Sequence, residues 1–168
     1  MSVAPLGRVF VGLGANLGDA RHALHEAARA LASLPHTRWV AGSPLYRSAP
    51  VDAQGPDFFN AVAELHTTLA PLALLRELQA IEQAHGRERP YRNAPRTLDL
   101  DLLLVDDQAS DDPVLTLPHP RAHQRAFVLR PLLDLAPALA HPRLGVLADH
   151  LAACADQRCE RLTETLTP

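Results

Sequence analysis

The spacing of apolar residues changes along the chain, and each change predicts an element. Residues 8–13 (RVFVGL) form a short, β-branched apolar run and predict a buried strand. Residues 14–19 predict a loop in which Asp19 caps a helix, because Leu24, Ala27, Ala28, Leu31 and Leu34 then recur every three or four positions as far as Pro35. A single strand is predicted over 38–47 and a loop rich in Pro, Gly and Asp over 48–57. A strand antiparallel to the previous one follows over 58–67, where Phe59, Ala61, Ala63 and Leu65 alternate with more polar neighbours. Pro71 suits the first turn of a second helix, whose inner stripe is Leu74, Leu75, Leu78 and Ile81 and which Gly86 ends. Residues 98–105 carry the strongest strand signal, followed by an acidic turn and a short strand over 114–117 that would hairpin back on it. Beyond Pro118 come helical pieces with Leu129, Leu132, Leu133 and Leu135, then a last amphipathic helix near 146–155.

The resulting order, β-α-β-β-α-β, predicts the α+β class: a ferredoxin-like, split βαβ, mainly antiparallel sheet with packed helices on one face and extra C-terminal elements. No repeat, linker or break in composition divides the chain. The 168 residues, 47% of them apolar, therefore read as one domain over 1–168 with enough apolar surface for a core. No apolar run reaches the ~7–15 residues of a signal peptide or the ~18 of a membrane span, which predicts a cytoplasmic protein with no membrane partner. Cys154 and Cys159 lack a second pair with which to build a zinc site and read as ordinary thiols.

Charge narrows the chemistry. A net charge of −3 excludes the general basic field of a nucleic-acid-binding protein, so any anion must be met by a local cluster. All 16 basic residues are Arg and none is Lys, which excludes a Walker A loop, a kinase-type strand lysine and Schiff-base catalysis. Gly12-Leu13-Gly14-Ala15-Asn16-Leu17 completes only half of a dinucleotide-binding fingerprint and reads as a structural strand-to-helix turn.

Against this acidic background, residues 86–101 (GRERPYRNAPRTLDLD) gather Arg87, Arg89, Arg92 and Arg96 against a single Glu88. On the strand that follows, alternation places Asp99 and Asp101 on one face, with Cα atoms about 6.6 Å apart at ~3.3 Å per residue. Leu98, Leu100, Leu102 and Leu104 then turn the other way, into the core. Two carboxylates side by side on a central strand require a proton, arginines or a metal. Ligands that are all oxygen favour Mg²⁺, and arginine forks beside such carboxylates suit the transfer of phosphoryl groups. Nucleotide or polyphosphate chemistry is the inference. His119 and His123 stand four apart without an H-E-x-x-H context, so His119 reads as a hydrogen-bond donor to a phosphate before a metal ligand. No G-x-S-x-G elbow is present. Phe58 and Phe127 read as core packing unless a flat ligand is bound.

The segment Pro95-Arg96-Thr97-Leu98-Asp99-Leu100-Asp101 resembles the 6-hydroxymethyl-7,8-dihydropterin pyrophosphokinase family of folate synthesis. Leu117-Pro118-His119-Pro120-Arg121, Gly14-Ala15-Asn16-Leu17 and Ser43-Pro44-Leu45-Tyr46-Arg47-Ser48-Ala49-Pro50 add to the likeness, which runs in order over about 9–142. The resemblance implies transfer of the β,γ-pyrophosphate of ATP to the hydroxymethyl group of the pterin, with release of AMP. It implies two Mg²⁺ ions on Asp99 and Asp101, ATP as co-substrate, and catalytic roles for Arg87 and Arg96 on the triphosphate. Leu75, Gln79, Glu82, Arg89, Leu102, Thr116, His119 and Arg125 fall on the ATP side by the same likeness, and Ser48, Ala49, Val51, Phe58, Asn60 and Phe127 on the pterin side. The two phenylalanines become the pair that sandwiches the ring, which reverses the packing reading. Partners are thus small molecules, and a monomer is expected. The chain departs from the family pattern at Asn93, where many members carry a Trp, at Pro120, which replaces an aromatic, and at Val114, where some carry an Arg. The alternatives are another Mg²⁺-dependent nucleotidyl- or phosphotransferase and a non-catalytic ferredoxin-like module that binds an anion.

Overall fold

The computed structural model describes residues 7–49, 55–85 and 98–168. In chain order they form β1 (Gly7–Ala15), α1 (Ala20–Ala32), β2 (Thr37–Gly42), β3 (Pro44–Ser48), β4 (Phe58–Thr67), α2 (Pro71–His85) and β5 (Asp99–Val105). There follow β6 (Ser110–Asp112), β7 (Leu115–Leu117), α3 (Ala126–Leu135), β8 (Ala140–His141), β9 (Gly145–Val146), a 3-10 helix (Leu147–Cys154) and β10 (Glu160–Thr165).

β1 occupies the middle of the main sheet. It runs antiparallel to β4 on one side, from Gly7 opposite Thr67 to Ala15 opposite Phe59, and antiparallel to β5 on the other. The order β10-β3-β4-β1-β5, with β2 also on β4, is the ferredoxin-like arrangement expected, extended by a C-terminal strand. Asp19 caps α1 as its sequence predicts, its side chain accepting from the His22 N–H at 3.1 Å.

Two cores flank the sheet. On one face Leu24 and Leu31 of α1 and Leu74 and Leu78 of α2 pack on Val9, Val11, Leu13, Leu65 and Leu100. Each such leucine, removed from water, contributes about 1.5–3 kcal/mol. On the other face Leu129 and Leu132 of α3 and Leu147 of the 3-10 helix cover Phe10, Val62, Leu103 and Leu104. The expectation of helices on one face holds for α1 and α2; the extra C-terminal elements supply a second helical layer.

Several sequence expectations are corrected. The single strand over 38–47 is two strands, because buried Ser43 interrupts it: its N–H donates to the Val62 carbonyl and its Oγ accepts from the Val62 N–H, both at 2.9 Å. The hydroxyl thus stands in for a ladder acceptor just before Pro44, which has no N–H to give. β1 continues through Ala15, so Gly12 and Gly14 lie inside a strand and not in a turn. Among the described residues β5 pairs with β1 alone and is an edge strand, not a central one. A register shift opposite Phe10 and Val11 leaves Leu103 as an extra residue, so Leu104 turns with Phe10 toward α3 and away from the face of Leu100 and Leu102. β7 pairs with β6, which forms inside the acidic stretch, and not with β5. The predicted last amphipathic helix is a 3-10 helix.

β10 is absent from the sequence expectation, and its polar pattern (ERLTET) explains why. It pairs with β3 and is held by charge to both helical layers. Arg161 reaches Asp134 of α3 at 3.4 Å, Arg47 reaches Glu160 at 2.6 Å, and Glu164 takes Arg21 and, at 2.6 Å, His25 of α1. The hydrogen bond from His25, then that from Arg21, hold the Glu164 carboxyl below its usual range against a smaller opposing effect of burial. A carboxylate pKa depressed in the folded state stabilises the fold above its unfolded pKa and loses that contribution as pH falls through the folded value. Urea unfolding across pH should therefore show Glu164→Gln less stable than wild type above the unfolded carboxylate value of 4.5, by a margin that closes as pH drops below it. A margin that is independent of pH contradicts the ion-pair assignment.

Candidate active site

The register of three strands lays out one row of side chains. Asp99 is opposite Gly14, Gly14 opposite Asn60, and Asn60 opposite Tyr46; one step along, Asp101 is opposite Gly12 and Gly12 opposite Val62. Directly opposed residues project from the same face of an antiparallel pair, and this is the face that α3 covers. Two glycines therefore separate the carboxylates from Asn60 and leave a trough where side chains would stand. A Cβ at Gly14 would lie 2.7 Å from the Asn60 Oδ1.

The trough opens into a cavity of about 380 Å³ lined by Gly12, Gly14, Ser48, Ala49, Phe58, Asn60, Asp99, Asp101, Arg125 and Phe127. Asn60 and Ser48 are buried in its wall, with the Asn60 Nδ2 donating to Ser48 Oγ at 3.3 Å. Arg125 and Phe127 come from the N-terminal end of α3, where the Arg125 guanidinium carbon lies 5.7 Å from the Phe127 ring centre. The structure thus brings together Ser48, Ala49, Phe58, Asn60, Asp99, Asp101, Arg125 and Phe127. Val51, Arg87, Arg89 and Arg96, with Arg92 and Asn93, lie outside the described residues.

His119 borders one of these carboxylates, that of Asp101. Its Nε2 is 4.0 Å from Asp101 Oδ1 and its Nδ1 accepts from the Arg121 N–H at 3.1 Å. Burial lowers the His119 pKa most, Asp101 opposes that, and Arg125 and Arg121 lower it further. A neutral ring accepting at Nδ1 carries its proton on Nε2, the atom that faces Asp101.

The remaining ATP-side residues are spread more widely. Leu75 and Gln79 line a separate cleft of about 320 Å³ between α2 and the β6–β7 hairpin, beside Ser110, Asp112, Val114 and Leu115. Thr116 lies in that hairpin, its Oγ1 donating to the Asp112 carbonyl at 3.0 Å. Glu82 accepts from the Leu100 N–H at 3.0 Å and so ties α2 to β5 between the two aspartates. The Leu102 side chain is buried with α1 and α2, as strand alternation predicts, so the ATP-side role that the resemblance implies for it would fall to its backbone. Sequence reasoning missed Gly12 and Gly14 as site residues; two glycines at strand spacing inside an apolar run were the available signal.

Among the described residues no set of three or more His, Cys, Asp or Glu side chains is arranged to hold a metal unaided. Two carboxylates on one face of an open cavity do fit a hard divalent cation that takes its other oxygens from water and a bound phosphate. Asp101, with its side chain 48% exposed, remains accessible for that purpose. No helix among the described residues is long and apolar enough to cross a membrane.

The sequence matches the family described as 7,8-dihydro-6-hydroxymethylpterin-pyrophosphokinase (HPPK) over residues 10–137. It is 52% identical over 156 residues to a 2-amino-4-hydroxy-6-hydroxymethyldihydropteridine pyrophosphokinase of Pseudomonas aeruginosa, covering 92% of this chain and 96% of the relative. The enzyme of the same description from Haemophilus influenzae is 40% identical over 154 residues, covering 91% and 96%. A solved Plasmodium falciparum HPPK-DHPS with pterin and p-hydroxybenzoate shares the fold, with a TM-score of 0.69 at 15% identity. That match covers 90% of this chain but only 44% of the longer one. The extent of the family match and the identity to near full-length relatives agree with the carboxylate and aromatic cavity, and the chain belongs to the 7,8-dihydro-6-hydroxymethylpterin-pyrophosphokinase family.

Proposed function

We propose that the cavity between β1, β4, β5 and α3 is where the family's reaction takes place in this chain. As a pyrophosphokinase of folate biosynthesis, the enzyme transfers the pyrophosphoryl group of ATP to hydroxymethyldihydropterin. One observation carries the assignment of the site: a single 380 Å³ cavity holds two aromatic side chains and a buried amide at one end and two carboxylates at the other. A flat, polar heterocycle fits between Phe58 and Phe127, with its edge toward Asn60 and Ser48. Its hydroxymethyl arm then points at Asp99 and Asp101.

In the reaction a bond forms between the pterin oxygen and the β-phosphorus, the bond from that phosphorus to the α-phosphate oxygen breaks, and the hydroxyl proton is released. Asp99 and Asp101 would hold Mg²⁺, which when bound supplies charge neutralisation to the phosphate oxygens. Arg125 lines the same cavity beside Phe127 and offers a fork to an anionic group, while His119 offers its Nε2 proton. Arg87 and Arg96 complete the cationic side on the strength of the sequence pattern, with Arg89, Gln79, Leu75 and Thr116 on the nucleotide side and Val51 on the pterin side. Alignment and electrostatic stabilisation supply most of the rate in such a transfer. ATP as donor supports a cytoplasmic location.

Incubation with ATP, Mg²⁺ and hydroxymethyldihydropterin should give AMP and the pterin diphosphate; ADP as the product, or none, overturns the reading. Asp101→Asn should retain the fold by circular dichroism and lose roughly 10²–10³-fold in kcat, the scale seen when one preorganised charge-stabilising group is removed. Full activity of that variant removes Asp101 from the metal site. Gly14→Ala should fold but displace the Asn60 amide, raising KM for the pterin about tenfold, or about 1.4 kcal/mol, with KM for ATP little changed. An equal loss for both substrates contradicts the placement of Asn60 at the pterin edge.

A further inference from the structure

α3 carries Phe127 over the cavity at its N-terminal end, and the same stripe of the helix continues with Arg130 and Asp134, three and seven residues on. Both of these grip the strand beneath. The Asp134 carboxylate accepts a hydrogen bond from the Tyr46 hydroxyl, and the Arg130 guanidinium carbon sits 5.0 Å from the centre of the Tyr46 ring. Tyr46 is itself buried, at 1% exposure, and lies opposite Asn60 in the β3–β4 register, two residue pairs from Ser48 opposite Phe58. The anchor also takes in the C-terminal strand: Arg161, opposite Tyr46 on β10, reaches Asp134 at 3.4 Å, and Arg130 donates to the Cys159 carbonyl.

We propose that Tyr46 and Asp134 are positioning residues for the pterin: their hydrogen bond fixes how far the α3-borne Phe127 stands above the sheet-borne Phe58, Asn60 and Ser48, and so sets the width of the slot. The inference rests on the reading of that slot as the pterin site. Neither residue lines the cavity, so each acts only through the walls it joins. Burial first, and then the hydrogen bond and charge of Asp134, raise the Tyr46 pKa and keep the phenol a donor at neutral pH. The Asp134 side chain is 23% exposed, and without the phenol its described partner is Arg161 alone. β10 acquires a role as well: it backs β3 at the anchor, so a polar C-terminal strand remote from the chemistry bears on one substrate and not on the other.

Tyr46→Phe, which keeps the ring and its packing, should weaken pterin binding measured directly by calorimetry about tenfold, the effect of losing one hydrogen bond to a charged group. KM for ATP should stay within about twofold and kcat at saturating pterin should change little. Asp134→Asn, which retains an oxygen acceptor for the phenol, should bind the pterin more tightly than Asp134→Ala, and the Tyr46→Phe/Asp134→Ala double variant should be no worse than the single alanine variant. Unchanged pterin affinity in Tyr46→Phe, equal losses for both substrates, or additive single effects overturn the proposal. Phe127→Ala separates it from the reading beneath it. If Phe127→Ala weakens pterin binding and Tyr46→Phe does not, the slot stands and the anchor falls; if Phe127→Ala has no effect either, the slot itself is misplaced.

Discussion

Everything in the site depends on β1 being paired along both edges with its register held over residues 11–14. Because Gly14 stands between Asp99 and Asn60, and Gly12 between Asp101 and Val62, the middle strand contributes backbone and almost no side-chain volume to that part of the α3 face. A one-residue slip of β1 would turn Leu13 and its neighbours into the trough, and a one-residue slip of β5 would send both aspartates toward the α1–α2 core. The hydrophobic residues on the other face of β1 resist that slip: Val9, Val11, Leu13 and Ala15 are nearly inaccessible and packed on α1 and α2. Core packing on one side of the sheet thus protects the chemistry on the other.

The second helical layer completes the cavity. α3 lays Val128, Leu129 and Leu132 into the smaller core and brings Arg125 and Phe127 to the mouth of the trough. The bulge at Leu103 assists, because it turns both Leu103 and Leu104 toward α3 and gives that helix an apolar seat beside the carboxylates. Charge, more than apolar area, then ties the C-terminal strand in, through Arg47, Arg161 and Glu164. The chain's exclusive use of arginine suits such contacts, since a planar fork can hold a carboxylate and lie on an aromatic ring at once, as Arg21 does with Glu164 and the Phe59 ring.

How much of this was legible depended on how local each signal was. Asp99 and Asp101 follow from alternation within seven residues, and the Asp19 cap and the α1 stripe follow from spacing along one helix. The two faces of β5 were legible only as far as Leu102, because a bulge is set by the partner strand. Gly12 and Gly14 looked like a turn, since their purpose appears only when Asn60, forty-six residues beyond Gly14, is opposite. Ser43 breaks a strand that its neighbours' propensities favour, by a side-chain hydrogen bond to β4 that no local pattern encodes. β10 was illegible for a different reason: an edge strand held by ion pairs needs no apolar alternation. The pterin-side residues Ser48, Ala49, Phe58, Asn60 and Phe127 were named through resemblance, and the cavity unites them from three separate elements or their ends.

The central claim is that one trough, floored by the glycines of β1, joins the aromatic slot to the carboxylate pair. It is tested most directly by a crystal structure with hydroxymethylpterin, a non-hydrolysable ATP analogue and Mn²⁺. The account predicts the pterin ring between Phe58 and Phe127, its edge on Asn60, with anomalous manganese peaks in contact with Asp99 and Asp101. A pterin ring bound outside the slot, or manganese in contact with neither carboxylate, would contradict it.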